Sequence, residues 1–335
     1  MKRLNMSEQE DNFMKRFKYY KSHKNKPSLA KVINTDNDHF GEVINITLDD
    51  DLRAEMLGLS KITTWKIYNF EKHPGLFLIK NPFTSLGQRY WIEKCLKVYP
   101  RKPNKTNIDI ERQIQDWWAE CYKSNEVDTK LRKKLRWTTL GYHHNWDTKI
   151  YSEENKSCFP EELAELCDVF AQCLGYKKFR AQAAIVNYYH MGSTLSAHTD
   201  HSEVNLEAPL FSISFGQSAI FLIGGHEKST EPSALLLNSG DVVIMSKEAR
   251  LCYHAVPKIL PATSQPWSDH DKLQNIDNTA IFKYIHTDIV EDLNKNIDNK
   301  VWSNFNNYIQ ESRININVRQ VLKENQTSLN DVNNT

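Results

Sequence analysis

The sequence predicts an α+β protein with a mainly β core, a sandwich or jelly roll of short strands with helices packed against it. Seven short apolar runs follow one another after residue 180, and Gly, Asn, Asp or Pro separates most of them. Regular spacing of this kind is typical of β-sandwiches and barrels. The region before residue 180 has helical periodicity instead. A chain of 335 residues can bury one large domain with appendages, or two small domains.

Amphipathic segments predict helices in the first half of the chain. Near the N-terminus, Phe13, Phe17 and Tyr20 recur at helical spacing, so this helix should pack on the main domain. Pro160 and Gly175 mark the start and the end of another helix. The predicted helices cover residues 8–20, 87–98, 108–122 and 160–174, and a short buried strand is predicted within 73–82.

The β region is predicted from apolar runs that are bounded by turn residues. A polar loop should occupy residues 259–278, a helix should follow at 301–311, and the polar tail 323–335 should be disordered. The predicted strands are 183–189, 209–215, 219–223, 234–237, 241–245, 251–256, 279–285 and 313–322.

Composition and charge argue against several classes of protein. The formal net charge is +1, so the chain as a whole does not attract nucleic acid. No apolar run is long enough to span a membrane, and the N-terminus is too polar for a secretory signal. Residues 1–31 carry nine Lys or Arg against three acids, and residues 130–136 carry five basic side chains in seven positions. Each segment either attracts phosphates or forms a solvated surface.

The cysteines indicate the compartment. The six cysteines form no CxxC pair, which favours reduced thiols inside a cell. We therefore expect a soluble, intracellular monomer in the nucleus, the mitochondrion or the cytoplasm, with no membrane partner.

Two histidines and one aspartate predict a metal site. Alternate residues of a strand share a face, so His198 and Asp200 can reach one ion from one strand or its end. His254 lies in another apolar run and can approach from a neighbouring strand. Two imidazoles and one carboxylate can occupy one face of Fe(II) and leave positions open for O2 and a chelating cosubstrate. Zinc remains an alternative metal for the same ligands.

A row of polar residues near the C-terminus predicts a site for a dicarboxylate. In residues 313–319 the apolar side chains face one way, and Arg313, Asn315 and Arg319 face the other. The two arginine backbones are roughly 20 Å apart in a strand, so both can contribute only if their side chains lean inward. Asn187 and Tyr189 share a strand face and offer further donors for a carboxylate. A solvated edge strand is the alternative interpretation of the arginine row.

Together these residues make the chain resemble the AlkB family of Fe(II)/2-oxoglutarate dioxygenases, and in particular its AlkB homologue 1 type. Several independent motifs occur in the same order as in that family, and the resemblance covers roughly residues 70–325. The resembling segments are residues 135–149, 179–189, 195–203, 211–225, 239–246, 254–257 and 313–321.

The resemblance implies a double-stranded β-helix (jelly roll) with flanking helices. It implies Fe(II) on His198, Asp200 and His254, with 2-oxoglutarate and O2 as cosubstrates. Arg313 would hold the distal carboxylate of 2-oxoglutarate, and Arg319 would serve the end near the metal. The residues implied to bind 2-oxoglutarate are Asn187, Tyr189, Arg313, Asn315 and Arg319.

The resemblance also implies a nucleotide-recognition lid and the division of the chain. His144 stands where relatives carry Tyr, so stacking on a flipped base would change in character. The residues implied to bind substrate are Trp118, Tyr142, His143, His144, Asn145 and Glu203, the last at the position that reads the edge of a methylated adenine. The implied regions are a basic helix and extension (1–70), a helical and lid region (71–178), the oxygenase core (179–322) and the tail (323–335).

The activity implied is oxidative demethylation of a methylated base, unpaired or flipped, with release of succinate, CO2 and formaldehyde. The substrate would be 1-methyladenine in tRNA or N6-methyladenine in DNA, or the reaction would be oxidation of 5-methylcytosine in tRNA, and the fold cannot choose among them. Two alternatives remain: a 2-oxoglutarate oxygenase that acts on protein such as a histone tail, and a non-catalytic module that binds nucleic acid.

Overall fold

Two β-sheets form the centre of the molecule in a computed structural model that describes residues 10–36, 42–44, 51–123, 126–269 and 287–334. Most strands are antiparallel. The strands are β1 (Val32–Ile33), β2 (Glu42–Ile44), β3 (Lys66–Asn69), β4 (Leu76–Lys80), β5 (Lys105–Thr106), β6 (Trp137–Gly141), β7 (Ala183–His190), β8 (Leu195–His198), β9 (Leu210–Gly216), β10 (Ser218–Ile223), β11 (Ser233–Leu237), β12 (Val242–Met245), β13 (His254–Leu260) and β14 (Ser312–Arg319).

The strand order confirms the jelly-roll prediction. Within the described residues, the large sheet has the order β2-β3-β4-β12-β9-β14-β7-β6-β5 and the small sheet the order β1-β11-β10-β13-β8. The last eight strands supply four neighbours to each sheet, and all of these pairings are antiparallel. Successive strands mostly change sheets, which is how a double-stranded β-helix is wound.

Helices cover the outer faces of both sheets. Among the described residues they are α1 (Asn12–Lys21), α2 (Leu52–Met56), α3 (Ser85–Glu93), α4 (Trp117–Cys121), α5 (Thr129–Lys134), α6 (Glu161–Cys173), α7 (Thr287–Lys295) and α8 (Asn299–Ile309). The N-terminal helix packs as predicted, because Phe13, Phe17 and Tyr20 lie against Ile220 and Leu222 of the small sheet. Its first turn is capped by Asp11, whose side chain accepts from the Met14 amide at 2.7 Å.

Alternation along the strands separates the core from the site. Ile314, Ile316 and Val318 of β14 are fully buried in the cluster that joins the large sheet to the helices. The intervening residues of β14, among them Arg313 and Arg319, therefore face the space between the two sheets. The polar row predicted for residues 313–319 thus faces the interior and is not a solvated edge.

One predicted helix is wrong, and one predicted strand begins later than expected. Instead of one helix over 108–122 there is a 3-10 turn, Asn107–Ile110, and then the short α4. The segment is divided because Asp116 accepts from the Ala119 amide at 2.9 Å and so starts a new helix. The strand predicted at 251–256 begins only at His254, after a 3-10 turn at Lys247–Leu251. The strand predicted at 279–285 lies outside the described residues.

The C-terminal segment is ordered where we expected disorder. Arg180 Nη2 donates to the carbonyl oxygens of Lys323, Glu324 and Gln326. Leu329 packs beside Tyr142. The Leu329 amide also donates to Glu153 Oε1 at 2.7 Å, so residues 323–329 have defined contacts where a disordered tail was expected. No helix in the described part of the chain is long and apolar enough to cross a membrane.

Candidate active site

Three side chains that can bind a metal converge where β8 and β13 pair. His198 ends β8, His254 begins β13, and the two are register partners. Asp200 follows in the loop after β8, and its carboxylate oxygens lie 4.0 Å from His198 Nε2 and 3.6 Å from His254 Nε2. The three ligand atoms lie within 4.8 Å of one another. One ion with ordinary metal–ligand distances can therefore contact all three.

The imidazoles are oriented for metal binding. His254 Nδ1 lies 3.1 Å from the Cys252 carbonyl oxygen, and His198 Nδ1 lies 3.0 Å from the Ser196 carbonyl oxygen. Donation from Nδ1 leaves each Nε2 with its lone pair toward the shared centre. Burial lowers the pKa of His254 to about 4, so its ring is neutral at physiological pH. The donor set therefore fits a divalent cation.

A buried cluster of charges holds the loop that carries Asp200. Arg319 Nη2 donates to Asp200 Oδ1 at 3.0 Å, and Arg319 Nε forms an ion pair with Glu203 Oε1 at 3.1 Å. Arg250 donates to Glu203 Oε2 at 2.9 Å and to the Asp200 carbonyl oxygen at 2.6 Å. Although burial opposes ionisation, the Arg319 charge and the two imidazoles hold the pKa of Asp200 well below its usual range. Asp200 is therefore a fixed, ionised carboxylate that can bind a cation.

Arg313 is buried without a counter-ion. Its Nη1 donates to the Gln217 carbonyl oxygen at 3.0 Å, and its Nη2 donates to Ser214 Oγ at 2.6 Å. Its Nε has no hydrogen-bond partner, and no described carboxylate forms an ion pair with it. Burial lowers the pKa of Arg313 to about 10. A buried cation with an unused donor is costly unless an anion arrives.

A second unused donor lies beside Arg313. Tyr189 is the register partner of Arg313 on β7, and its buried hydroxyl also lacks a hydrogen-bond partner. Burial raises the pKa of Tyr189, so its phenol keeps its proton and can donate. The two orphaned donors fit the carboxylate of a dicarboxylate such as 2-oxoglutarate, as the sequence predicted.

The remaining residues predicted for the cosubstrate lie on the same face. Asn315 pairs in register with Asn187 between the two arginines. The Asn315 amide donates to Ser212 Oγ at 2.9 Å and to the Ile213 carbonyl oxygen at 3.1 Å. Both hydrogens of this amide are thus already engaged. Its oxygen accepts from Asn317 Nδ2 at 3.0 Å, so Asn315 stabilises the floor of the site.

Four aromatic side chains border the charged cluster, and we call them the lid cluster: Trp137, His144, Trp146 and Tyr151. The ring centroids of His144 lie 4.7 Å from Trp146 and 5.5 Å from Tyr151, and those of Trp137 and Trp146 are 5.2 Å apart. The Tyr151 hydroxyl donates to Glu203 Oε1 at 3.3 Å. Burial lowers the pKa of His144, and the nearby Arg319 charge lowers it further. His144 Nδ1 is buried and has no hydrogen-bond partner, as a residue awaiting a ligand would be.

The other lid residues predicted to touch substrate have partners within the protein. The Tyr142 hydroxyl donates to Glu153 Oε1 at 2.6 Å, and His143 Nδ1 bonds Thr139 Oγ1 at 2.8 Å. The Asn145 side chain accepts from the amides of Asp147 and Thr148. These contacts shape the loop, and they leave His144 as the predicted lid residue that faces the charged cluster.

Two further predictions about substrate residues need correction. Trp118 stacks on Phe305 at 4.7 Å and 14° in the helix-covered core, on the opposite side of the large sheet from Arg319. It packs α4 on α8, and so it does not line the site. Glu203 is 5% exposed. Its oxygens accept from Arg250 and Tyr151 and form an ion pair with Arg319, so it is not free to read a base.

Sequence reasoning missed Trp137, Tyr151 and Arg250. Trp137 lies on β6 and is the register partner of Asn187 on β7. Register partners share a face of the sheet, so Trp137 would follow from Asn187 once the strand pairing was known. Arg250 lies in a 3-10 turn, where no periodicity marks its direction.

Comparisons with known proteins agree with the geometry. The sequence model of the 2OG-Fe(II) oxygenase superfamily matches residues 75–319. The nucleic acid dioxygenase ALKBH1 of Mus musculus is 36% identical over 95% of this chain and 85% of its own length. The tRNA demethylase abh1 of Schizosaccharomyces pombe is 36% identical over 76% of this chain and 82% of its own length. The DNA N(6)-methyladenine demethylase ALKBH1A of Arabidopsis thaliana is 30% identical over 82% of this chain and 83% of its own length.

Proposed function

We propose, from the premise that this chain belongs to the AlkB homologue 1 type of the 2OG-Fe(II) oxygenase superfamily, that it demethylates methylated bases in nucleic acid. Members of this superfamily are Fe(II)- and 2-oxoglutarate-dependent enzymes, and this chain is one of them. The relatives support nucleic acid as the substrate class, because they include a tRNA demethylase and a DNA demethylase.

The single observation behind this function is that two incomplete sites, one on each sheet, face the space between the sheets. His198, Asp200 and His254 present three ligand atoms within 4.8 Å of one another. Arg313 and Tyr189 present two buried donors with no partner. A metal ion completes the first set, and a carboxylate completes the second. A cosubstrate that chelates the metal at one end and carries a carboxylate at the other satisfies both.

Each residue then has a proposed role. His198, Asp200 and His254 hold Fe(II) and leave its other positions open. Arg313 and Tyr189 hold the distal carboxylate of 2-oxoglutarate, and Asn187 and Asn315 line the floor between them. Arg319 fixes the Asp200 carboxylate, since the two are 3.0 Å apart. When bound, the iron, 2-oxoglutarate and O2 supply the oxidising power that hydroxylates an N-methyl group, which then leaves as formaldehyde.

We propose that the methylated base lies among the lid cluster. Trp137 and Tyr151 offer ring faces, and the unpaired His144 Nδ1 offers one hydrogen-bonding position to the base. A base can reach these groups only when it has left its stack, so an unpaired or flipped nucleotide is the substrate form. The rings also exclude water from the cluster around Asp200, which keeps the reaction in a dry site.

The test compares three classes of substrate. Purified protein with Fe(II) and 2-oxoglutarate is incubated separately with total tRNA, genomic DNA and a methyl-lysine histone peptide, and products are measured by mass spectrometry. The proposal expects loss of 1-methyladenine or 5-methylcytosine from tRNA, or of N6-methyladenine from DNA, with succinate formed in step. Asp200→Ala should abolish both. Turnover of the peptide alone, or nucleoside changes that persist in Asp200→Ala, would overturn it.

The oligomeric state and the compartment are proposals as well. We propose a monomer inside the cell. The cysteines support the compartment, since all six are free thiols and five of them are buried.

A further inference from the structure

One large aromatic side chain of the lid cluster is exposed at the protein surface. Trp146 is 46% exposed, although its ring contacts Trp137 and His144. A tight turn holds it there, because the Asn145 side chain accepts from the Asp147 and Thr148 amides, at 2.9 Å and 3.1 Å. The Lys149 amide closes the turn on the Asn145 carbonyl oxygen at 2.7 Å. This hydrogen-bonded turn therefore fixes the backbone that carries the exposed indole.

The position of Trp146 distinguishes it from an ordinary exposed hydrophobic residue. Single exposed apolar side chains are common and need no explanation. This one, however, extends the row of rings that begins with Trp137 inside the site and reaches the surface. Its ring is tilted by 46° from Trp137 and stands at 79° to His144, so neither neighbour covers it face to face. An indole with an open face is a stacking surface for a nucleobase.

Exposed cations lie on the chain segments that carry Trp146 and Trp137. Lys149 is exposed on the same turn, and its charge adds to the burial and the Arg319 charge that lower the pKa of His144. Arg136 precedes Trp137 in the chain and donates to Ser193 Oγ at 3.0 Å. Lys133 is exposed one turn earlier on α5. Aromatic rings with cations beside them are the combination that binds single-stranded nucleic acid.

We propose that Trp146 stacks on the nucleotide next to the methylated one, outside the pocket, with Lys149 near a flanking phosphate. This inference rests on the proposed function, since it names a second subsite on the same nucleic acid. Trp146 then fixes the register of the strand, so that the target base and not its neighbour enters among the lid residues. The ligand class is a single-stranded segment of at least two nucleotides.

The experiment is a double-mutant cycle between protein and substrate. Binding of the metal-free protein to a short single-stranded oligonucleotide is measured by fluorescence anisotropy, with the neighbour of the target position either intact or abasic. For the wild type, the abasic change should weaken binding about 5- to 150-fold, the range measured for base–aromatic stacking. Trp146→Ala should weaken binding of the intact oligonucleotide equally, and the abasic change should then add nothing. Trp146→Phe should restore most of the affinity.

Matched controls separate stacking from general damage. Ile150→Ala removes another exposed apolar side chain, 58% exposed, from the same loop and should leave affinity unchanged. Lys149→Gln should reduce the slope of log K against log salt by about one, whereas Lys66→Gln on the distant β3 should not. A Trp146→Ala affinity within twofold of wild type, or an abasic penalty that persists in Trp146→Ala, would overturn the inference. Failure of the proposed function would appear separately, as no turnover of any nucleic acid by the wild type.

Discussion

Replacing Arg313 by Gln should weaken 2-oxoglutarate binding far more than it weakens the fold. An arginine has five N–H donors, and two donor atoms of Arg313 already bond Gln217 and Ser214. The Nε donor and the spare hydrogens of both Nη atoms remain for a carboxylate. The guanidinium is fully buried, with no described counter-ion, so the incoming carboxylate is the anion that neutralises it.

The magnitude follows from the loss of a buried, charge-assisted pair. Removing one partner of such a pair costs about 2–5 kcal/mol, which is an increase of about 30-fold or more in the dissociation constant. Arg313→Lys keeps the charge but loses the fork, so its effect should be smaller than that of Arg313→Gln.

The assay is ligand-dependent stabilisation of the metal-loaded protein. If the wild type binds with ligand at 100 times its dissociation constant, the ligand adds about 2.7 kcal/mol to the free energy of unfolding. A variant with 100-fold weaker binding would gain only about 0.4 kcal/mol from the same ligand concentration. Thermal or urea unfolding with and without 2-oxoglutarate measures both values.

The matched control is Arg89, an equally buried arginine on α3 that donates to the Trp267 and Asn296 carbonyl oxygens. Arg89→Gln should lower the free energy of unfolding and leave the gain from 2-oxoglutarate unchanged. If Arg313→Gln keeps the full gain from 2-oxoglutarate, the assignment of the distal carboxylate to Arg313 is refuted.

Three further predictions concern residues around the site. Trp118→Ala should lower the free energy of unfolding by about 3–5 kcal/mol without changing KM for nucleic acid, and a selective rise in KM would return Trp118 to the site. Glu203→Gln breaks a buried ion pair with Arg250, so the free energy of unfolding measured by urea melts should fall by about 3–5 kcal/mol. Activity should fall equally on all methylated bases, and a change in base preference with unaltered stability would contradict this. Burial lowers the pKa of His143 from 6.5 to about 4, so only the unfolded state takes up this proton between those values, and stability should fall as the pH drops through that window. This proton should contribute a slope of about 1.4 kcal/mol per pH unit to the free energy of unfolding, and His143→Asn should remove that contribution. Equal slopes for the two proteins in urea melts at pH 5–7 would refute this.

The strands of the core could be predicted because each carries its own signal. Runs such as Ala183–His190 and Leu210–Gly216 are apolar and bounded by turn residues, so their positions follow from local sequence. The helix at 108–122 could not be excluded in this way. Its apolar residues have helical spacing, but the Asp116 side chain caps a new helix in the middle of the segment. Because the segment is divided there, Ile110 does not join the buried face and is 84% exposed.

The metal ligands were predictable for a different reason. Two imidazoles and a carboxylate are chemically distinctive, so His198, Asp200 and His254 could be grouped before any distance was known. The partners of Glu203 were not predictable, because Arg250 and Arg319 lie 47 and 116 positions away in the chain and only the fold brings them together. The position of Trp118 was not predictable from local sequence either. Its neighbour Trp117 fits the apolar stripe equally well, and the sequence does not show which of the two faces the sheet.

Anaerobic equilibrium dialysis against Fe(II), followed by metal analysis of the protein, measures whether His198, Asp200 and His254 bind iron. We expect one Fe(II) per chain in the wild type and a large loss in Asp200→Ala and in His254→Ala, with Arg313→Gln retaining its metal. A wild type that binds no iron, or an Asp200→Ala variant that binds as much as the wild type, would contradict it.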